Sequence, residues 1–239
     1  MEIEKGIEII DLALYLEKQQ ILVIADVHIG YEEALNKQGM MVPRFQFKDI
    51  LQRLEFIFAE LKKKNKQVSR IIINGDLKHE FGTISDQEWR ETLQTLDFLE
   101  KQCEKIILVR GNHDTVLGKI ANKKNIEIVD KLETDGILFA HGDEIKETKA
   151  KTIIIGHEHP AVSLKEDVRI EKFKCFIKGK YKGKTLIVQP SFNLVTEGTD
   201  ISKEDILSPY LKQDLKKFEC WIVAAKGKVF YFGKLKDWK

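Results

Sequence analysis

Gln20-Ile21-Leu22-Val23-Ile24-Ala25-Asp26-Val27-His28-Ile29-Gly30 is an aliphatic run that breaks into a polar cluster. Its first six residues are β-branched or aliphatic and too few for a helix, which predicts a buried strand. The cluster after it pairs a carboxylate with an imidazole two residues on. The same arrangement recurs down the chain. Arg70-Ile71-Ile72-Ile73 leads into Gly75-Asp76-Leu77-Lys78-His79, and Lys105-Ile106-Ile107-Leu108-Val109 into Gly111-Asn112-His113-Asp114. Gly136-Ile137-Leu138-Phe139-Ala140 leads into His141-Gly142-Asp143, and Thr152-Ile153-Ile154-Ile155 into Gly156-His157-Glu158-His159-Pro160. All six histidines of the chain lie in these clusters. Histidine and aspartate at the ends of several strands are the one-dimensional form of a metal-binding catalytic site.

Between the first two strands, Phe47, Ile50, Leu51, Leu54, Ile57, Phe58 and Leu61 recur at three and four, predicting an amphipathic helix over 46–64. A second helix is expected over 85–101. Ser85 is its N-cap, Glu88 completes a capping-box pattern, and Trp89, Leu93, Leu96 and Leu99 form its core face. Residues 7–16 suggest an edge hairpin, and Tyr31 to Arg44 a long loop that either forms a lid with Arg44 on a phosphate or is plain surface. After residue 160 the pattern turns to hairpins, at 174–188 and 220–232, with a short helical piece near 210–217. The expectation is an α/β fold in a single domain over 1–239, with two packed mixed sheets flanked by helices.

Composition narrows the function classes. A net charge of +2 does not speak for a nucleic-acid partner, although it leaves one open. No apolar run reaches the roughly 18 residues of a spanning helix. Three scattered cysteines fit no metal or redox spacing and suit a reducing cytoplasm. The cluster from Lys62 to Lys66 reads as a solvated helix end.

Loops at the carboxyl ends of strands converge in space. Asp26, His28, Asp76, Asn112, His141, His157 and His159 then offer oxygen and nitrogen donors without thiolate. That set suits Mn²⁺, with Fe²⁺, Zn²⁺ or Ni²⁺ as alternatives, better than calcium or magnesium alone. Seven donors exceed the needs of one ion with open positions. With one carboxylate bridging, they divide into two sites of four, the arrangement that activates a water and clamps a phosphoryl group. Glu158, flanked by two donors, should point away from them. Asp114 and Asp143 either orient an imidazole or sit in a turn.

Asp-x-His, Gly-Asp, Gly-Asn-His-Asp, His-Gly-Asp and Gly-His-x-His in this order resemble the calcineurin-like metallophosphoesterase superfamily. The resemblance implies a four-layer α/β/β/α sandwich. It also implies two divalent ions, one on Asp26, His28, Asp76 and His159, the other on Asp76, Asn112, His141 and His157. His113 would face the scissile phosphate as transition-state stabiliser or general acid. His79 stands where the Ser/Thr phosphatases of the superfamily carry an aspartate. Gly75-Asp76-Leu77-Lys78-His79 is instead similar to SbcD-type nucleases, and the chain resembles a small archaeal branch related to them. The implied substrate is a phosphate ester, a diester before a monoester, with His79 on the pocket wall. A phosphatase, and a non-catalytic scaffold of the same fold, are the alternatives.

Overall fold

The run at 20–25 lies at the middle of the first of two sheets. A computed structural model of the chain describes every residue except 83, 116, 125, 167–168, 203–204 and 238–239. The first half runs β1 (Glu2–Glu4), β2 (Ile7–Ile10), β3 (Ala13–Leu16), β4 (Ile21–Ile24), α1 (Tyr31–Lys37), α2 (Gln46–Lys63), β5 (Arg70–Asn74), α3 (Asp86–Glu100), β6 (Lys105–Val109), α4 (Gly118–Lys124) and β7 (Glu127–Val129). The second half runs β8 (Leu132–Thr134), β9 (Ile137–Phe139), β10 (Thr152–Ile155), β11 (Pro160–Glu166), β12 (Arg169–Tyr181), β13 (Lys184–Val188), β14 (Thr199–Asp200), β15 (Glu219–Ala225) and β16 (Lys228–Lys234), closing on a 3-10 turn at Leu235–Asp237.

Strands β1 to β7 lie in one mixed sheet in sequence order. The β2–β3 hairpin adds antiparallel to β4, while β4, β5, β6 and β7 are parallel. The parallel register pairs Ile24 with Ile73 and Asn74 with Val109, so the polar clusters leave the sheet at one level. The second sheet, β14-β11-β12-β13-β10-β9-β8 with β15 and β16 attached through β12, is also mixed. Its β9, β10 and β13 are parallel, and β10 ends at Ile155, directly before the last cluster.

Burial explains the layers. From α2, Ile50, Leu54, Ile57 and Leu61 are fully buried, and Leu96 and Leu99 of α3 join them in the core. Each such side chain contributes about 1.5–3 kcal/mol. Alternation in the second sheet splits its side chains between two cores. Phe139, Ile154, Phe176 and Ile187 pack with the first sheet. Leu138, Ile153, Ile155, Leu186 and Val188 face outward, where Tyr210, Leu211 and Phe218 cover them. Two mixed sheets flanked by helices are therefore as expected. The cover over the second sheet, however, is an irregular segment and the 3-10 turn, and the expected helical piece at 210–217 is turns and bends. Its apolar residues are held by the sheet beneath them, not by helical periodicity.

The long loop expected from Tyr31 is corrected as well. Residues 31–37 form α1, with Glu32 and Glu33 in its first turn and Lys37 in its last, where each favours the helix dipole. The Glu32 carboxylate accepts from the backbone N–H groups of Phe45 and Gln46, capping α2 from a distance. Among the described residues, no helix is long and apolar enough to cross a membrane.

Candidate metal centre

The strands stop just short of the clusters, and left-handed backbone takes over. Asp26 has φ 53°, His28 48°, Asp76 47°, His157 64° and His159 50°. Asp and His enter this region more readily than most residues, yet each such residue costs about 1–3 kcal/mol. The repeated turn sends Asp26 and His28 one way and buries Val27 the other; His157 and His159 likewise flank a buried Glu158. Alternate side chains thus share a direction through left-handed turns rather than through continued strand.

Backbone ties between the sheets bring the turns together. Phe192 N donates to Ala25 O at 2.8 Å and Asn193 N to Asp26 O at 3.2 Å. Gln46, buried, donates through Nε2 to His28 O and to Asn193 Oδ1. The turns also approach closely. A Cβ on Gly111 would lie 2.1 Å from Asp76 Oδ1, and one on Gly156 would lie 2.4 Å from Asp26 Oδ2. Only glycine fits either place.

The donors fall into contact. Asp26 Oδ1 lies 3.6 Å from His159 Nε2 and 3.5 Å from His141 Nδ1. His28 Nε2 is 3.2 Å from His159 Nε2 and 3.6 Å from Asp76 Oδ2. The same Asp76 Oδ2 is 3.3 Å from His141 Nε2, which lies 2.9 Å from Asn112 Oδ1 and 3.1 Å from His157 Nδ1. Asp76 Oδ2 therefore faces both an Asp26–His28–His159 group and a group of His141, His157 and Asn112. The other oxygens are used by backbone: His113 N donates to Asp76 Oδ1 and His157 N to Asp26 Oδ2.

The donor set fits divalent ions. Two ligands about 2.0–2.1 Å from a common ion lie roughly 2.9–3.4 Å apart, and these nitrogen and oxygen pairs, at 2.9–3.6 Å, lie at or just beyond that spacing. Asp26 Oδ1 and His141 Nδ1 are buried without a hydrogen-bond partner. Buried polar atoms left in that state are rare unless something else satisfies them. Electrostatics agree at His28 and Asp76. Burial, with His159 beside it, holds His28 well below the usual imidazole range, so it is neutral and able to ligate. Burial alone would raise the Asp76 carboxyl, but His141 and His28 around it hold it well below the usual carboxylate range. His141 is pushed up to about 9: burial opposes this, but Asp76 and Asp26 outweigh it.

His113 and His79 form the next layer. His113 Nδ1 contacts His79 O, a carbonyl that can only accept, so Nδ1 donates there and Nε2 is left for another partner. His79 Nδ1 is 3.4 Å from His28 Nδ1, and its ring stacks on that of His113 with centroids 5.1 Å apart. Tyr31 meets His79 edge-on, and Phe81, an exposed ring, lies against His113.

Neighbouring acids sort themselves. Asp114 is buried and accepts from Leu77 N and Gly111 N, tying the loops after β5 and β6 without touching an imidazole. Asp143 is exposed at a bend. Glu158 points away as expected, accepting from Leu207 N and Ser208 N. Arg44 is bonded to Gln87 Oε1 at 2.9 Å. Sequence reasoning missed Gln46 and Asn193, which lie 147 positions apart and have no local pattern. It also missed Lys78, a loop lysine that is wholly buried.

Known proteins share this fold. The crystal structure of a nuclease, MPE, from Pseudomonas putida is similar, with a TM-score of 0.64 and 23% identity over 93% of this chain and 92% of that one. The phosphoesterase YfcE of E. coli overlays more loosely, with a TM-score of 0.43 and 12% identity over 90% of this chain and 98% of that one. No curated protein sequence matches. The model of the calcineurin-like phosphoesterases matches residues 20–152, from β4 through the cluster at His141. The chain belongs to the calcineurin-like phosphoesterase family and is a metal-dependent hydrolase of phosphate esters.

Proposed function

We propose that the chain is a dinuclear phosphodiesterase. One divalent ion would be held by Asp26, His28, Asp76 and His159, the other by Asp76, Asn112, His141 and His157. The observation that carries this is Asp76 Oδ2, 3.3 Å from His141 Nε2 and 3.6 Å from His28 Nε2, facing both groups of donors. Donors of nitrogen and oxygen without thiolate favour Mn²⁺, with Fe²⁺, Zn²⁺ or Ni²⁺ as alternatives. Bound there, the ions would lower the pKa of a water and neutralise charge on the phosphoryl oxygens. Residues 1–239 act as one unit in this reading, because Asp26 to Asn112 come from the first sheet and His141 to His159 from the second.

His113 works from the open side. With Nδ1–H on the His79 carbonyl, Nε2 is left to meet the phosphoryl group; as the imidazolium, with a second proton on Nε2, His113 would stabilise the phosphoryl oxygens or protonate the leaving oxygen. Preference for a diester rests on the wall beside it. His79, Tyr31 and Phe81 make a largely aromatic surface next to the phosphoryl position. A diester has a second substituent to lay there, and a monoester has none.

Two measurements test the reading. Anomalous scattering from metal-loaded crystals should place two ions roughly 3.5 Å apart with Asp76 between them. A single ion on Asp26 and His28 alone would refute the dinuclear site. His79→Ala and Phe81→Ala should each slow bis-p-nitrophenyl phosphate more than p-nitrophenyl phosphate, with metal content unchanged. Equal losses on both would remove the case for a diester. Single- and double-stranded DNA belong in the same panel, since the P. putida nuclease shares the fold.

A further inference from the structure

Lys78 lies between bridging Asp76 and His79 in the sequence, and its side chain is fully buried. Its ammonium grips two backbone carbonyls, those of Glu80 and, at 2.5 Å, of His113. Glu88, then Asp114, Asp76 and Glu80, supply the negative charge around it. Ser85 caps α3 by accepting from Glu88 N, as expected. The Glu88 carboxylate, which a capping box would return to the Ser85 backbone, goes elsewhere. Its Oε1 accepts from His79 N at 2.9 Å and from Glu80 N at 3.0 Å. Glu80 therefore has its N–H on a buried anion and its carbonyl on a buried cation, and that cation also holds His113.

A buried ammonium is expensive, and an apolar side chain of the same length would be cheaper if packing were the only need. What the charge holds here is specific. It joins the loop of His79 to the loop of His113, which are further stitched by His113 Nδ1 on His79 O and Thr115 Oγ1 on Phe81 O. We propose that Lys78 is a positioning residue for His113, locking the two loops so that Nε2 meets the phosphoryl group at a fixed distance. This rests on the reading of His113 given above. Among the described contacts the Lys78 ammonium bonds to the carbonyls of Glu80 and His113 and to no proposed metal-ligand side chain, so in this reading its loss acts through His113.

The test is a double-mutant cycle of wild type, Lys78→Met, His113→Ala and the double variant. Bis-p-nitrophenyl phosphate is the substrate, and bound metal is measured in parallel. Lys78→Met should keep the metal content and KM of the parent and lower kcat by ~10- to 100-fold, the scale of an ångström's misplacement. In the His113→Ala background the same change should cost less than about twofold, because the group it positions is gone. A merely structural role lowers kcat by the same factor in both backgrounds, and that result overturns the proposal. Lys78→Gln, which keeps one donor, carries the same cycle if Lys78→Met does not fold. If His113→Ala alone retains wild-type kcat, the role of His113 fails first. If His113→Ala is impaired and Lys78→Met is additive with it, only the role of Lys78 fails.

Discussion

Gly156→Ala places a methyl group against the carboxylate of Asp26. The added Cβ would stand 2.4 Å from Asp26 Oδ2, 3.0 Å from the Ala25 Cβ and 3.1 Å from Asp26 Cγ. Gly156 is not in the left-handed region, so its backbone accepts alanine and the effect is steric. Tolerable contact begins at 3.0 Å and is ordinary beyond 3.4 Å, which asks the carboxylate to retreat by about 0.6–1.0 Å. It cannot retreat freely, because Oδ2 also accepts from His157 N at 3.0 Å. Metal–ligand distances tolerate about 0.2 Å. The displacement is several times larger, and disturbances of ligand support of this kind cost 10- to 100-fold in affinity or turnover. Gly156→Ala should therefore bind the ion on Asp26 at least tenfold more weakly and lose ~10- to 100-fold in turnover, while remaining folded. Titration calorimetry with Mn²⁺ and turnover of bis-p-nitrophenyl phosphate read the two effects. Gly118→Ala, where an added Cβ meets nothing within 4 Å, is the control. A Gly156→Ala protein with parental Mn²⁺ affinity and turnover within twofold would refute the reasoning, since Asp26 would then be neither crowded nor needed.

Asp76→Ala should lose metal and activity together, with elemental analysis of the purified protein and turnover falling in parallel, because one oxygen serves both groups of donors. Gln46→Leu strands His28 O, which Gln46 Nε2 satisfies, and should cost about 1–3 kcal/mol of stability, read by thermal unfolding. Lys174 offers a pH test. Burial, and then the charge of Arg53, lower its ammonium to about 7, and its Nζ donates to Ser191 Oγ. The unfolded chain keeps that proton to a pKa of about 10.4. Between these values the unfolded state binds more protons, so stability from this group rises with pH above 7 and is lowest below it. Lys174→Met should therefore raise the melting temperature at pH 6 by about 3 °C, roughly the worth of 1 kcal/mol in a chain this size, and by less at pH 9.5. A larger gain at pH 9.5 than at pH 6 would reverse the sign and refute it.

Much of the architecture was legible because it is local. Five aliphatic runs each ended in a polar cluster, and the two main helices showed their periodicity, since a strand or amphipathic helix is written in the order of its own residues. The donor chemistry was legible for the same reason: Asp, Asn and His bring their atoms with them. Helix α1 was not, because it has no apolar stripe and is held by its ends and by Glu32 on the start of α2. The cover over the second sheet was not, because Tyr210, Leu211 and Phe218 are placed by the surface beneath them. Glu88 shows the boundary most clearly. Its spacing from Ser85 announces a helix cap, and the cap forms, yet its carboxylate turns to the amides of His79 and Glu80. Lys78, a charged residue in a loop, reads as surface and is buried, with Glu88 foremost among the acids around it. The sequence by itself determined the central strands, the two main helices and which donor atoms are available. Only the tertiary structure decided which donors share Asp76 and which charges are turned inward, because burial and partner are properties of segments far apart in the chain that only packing brings within a few ångströms.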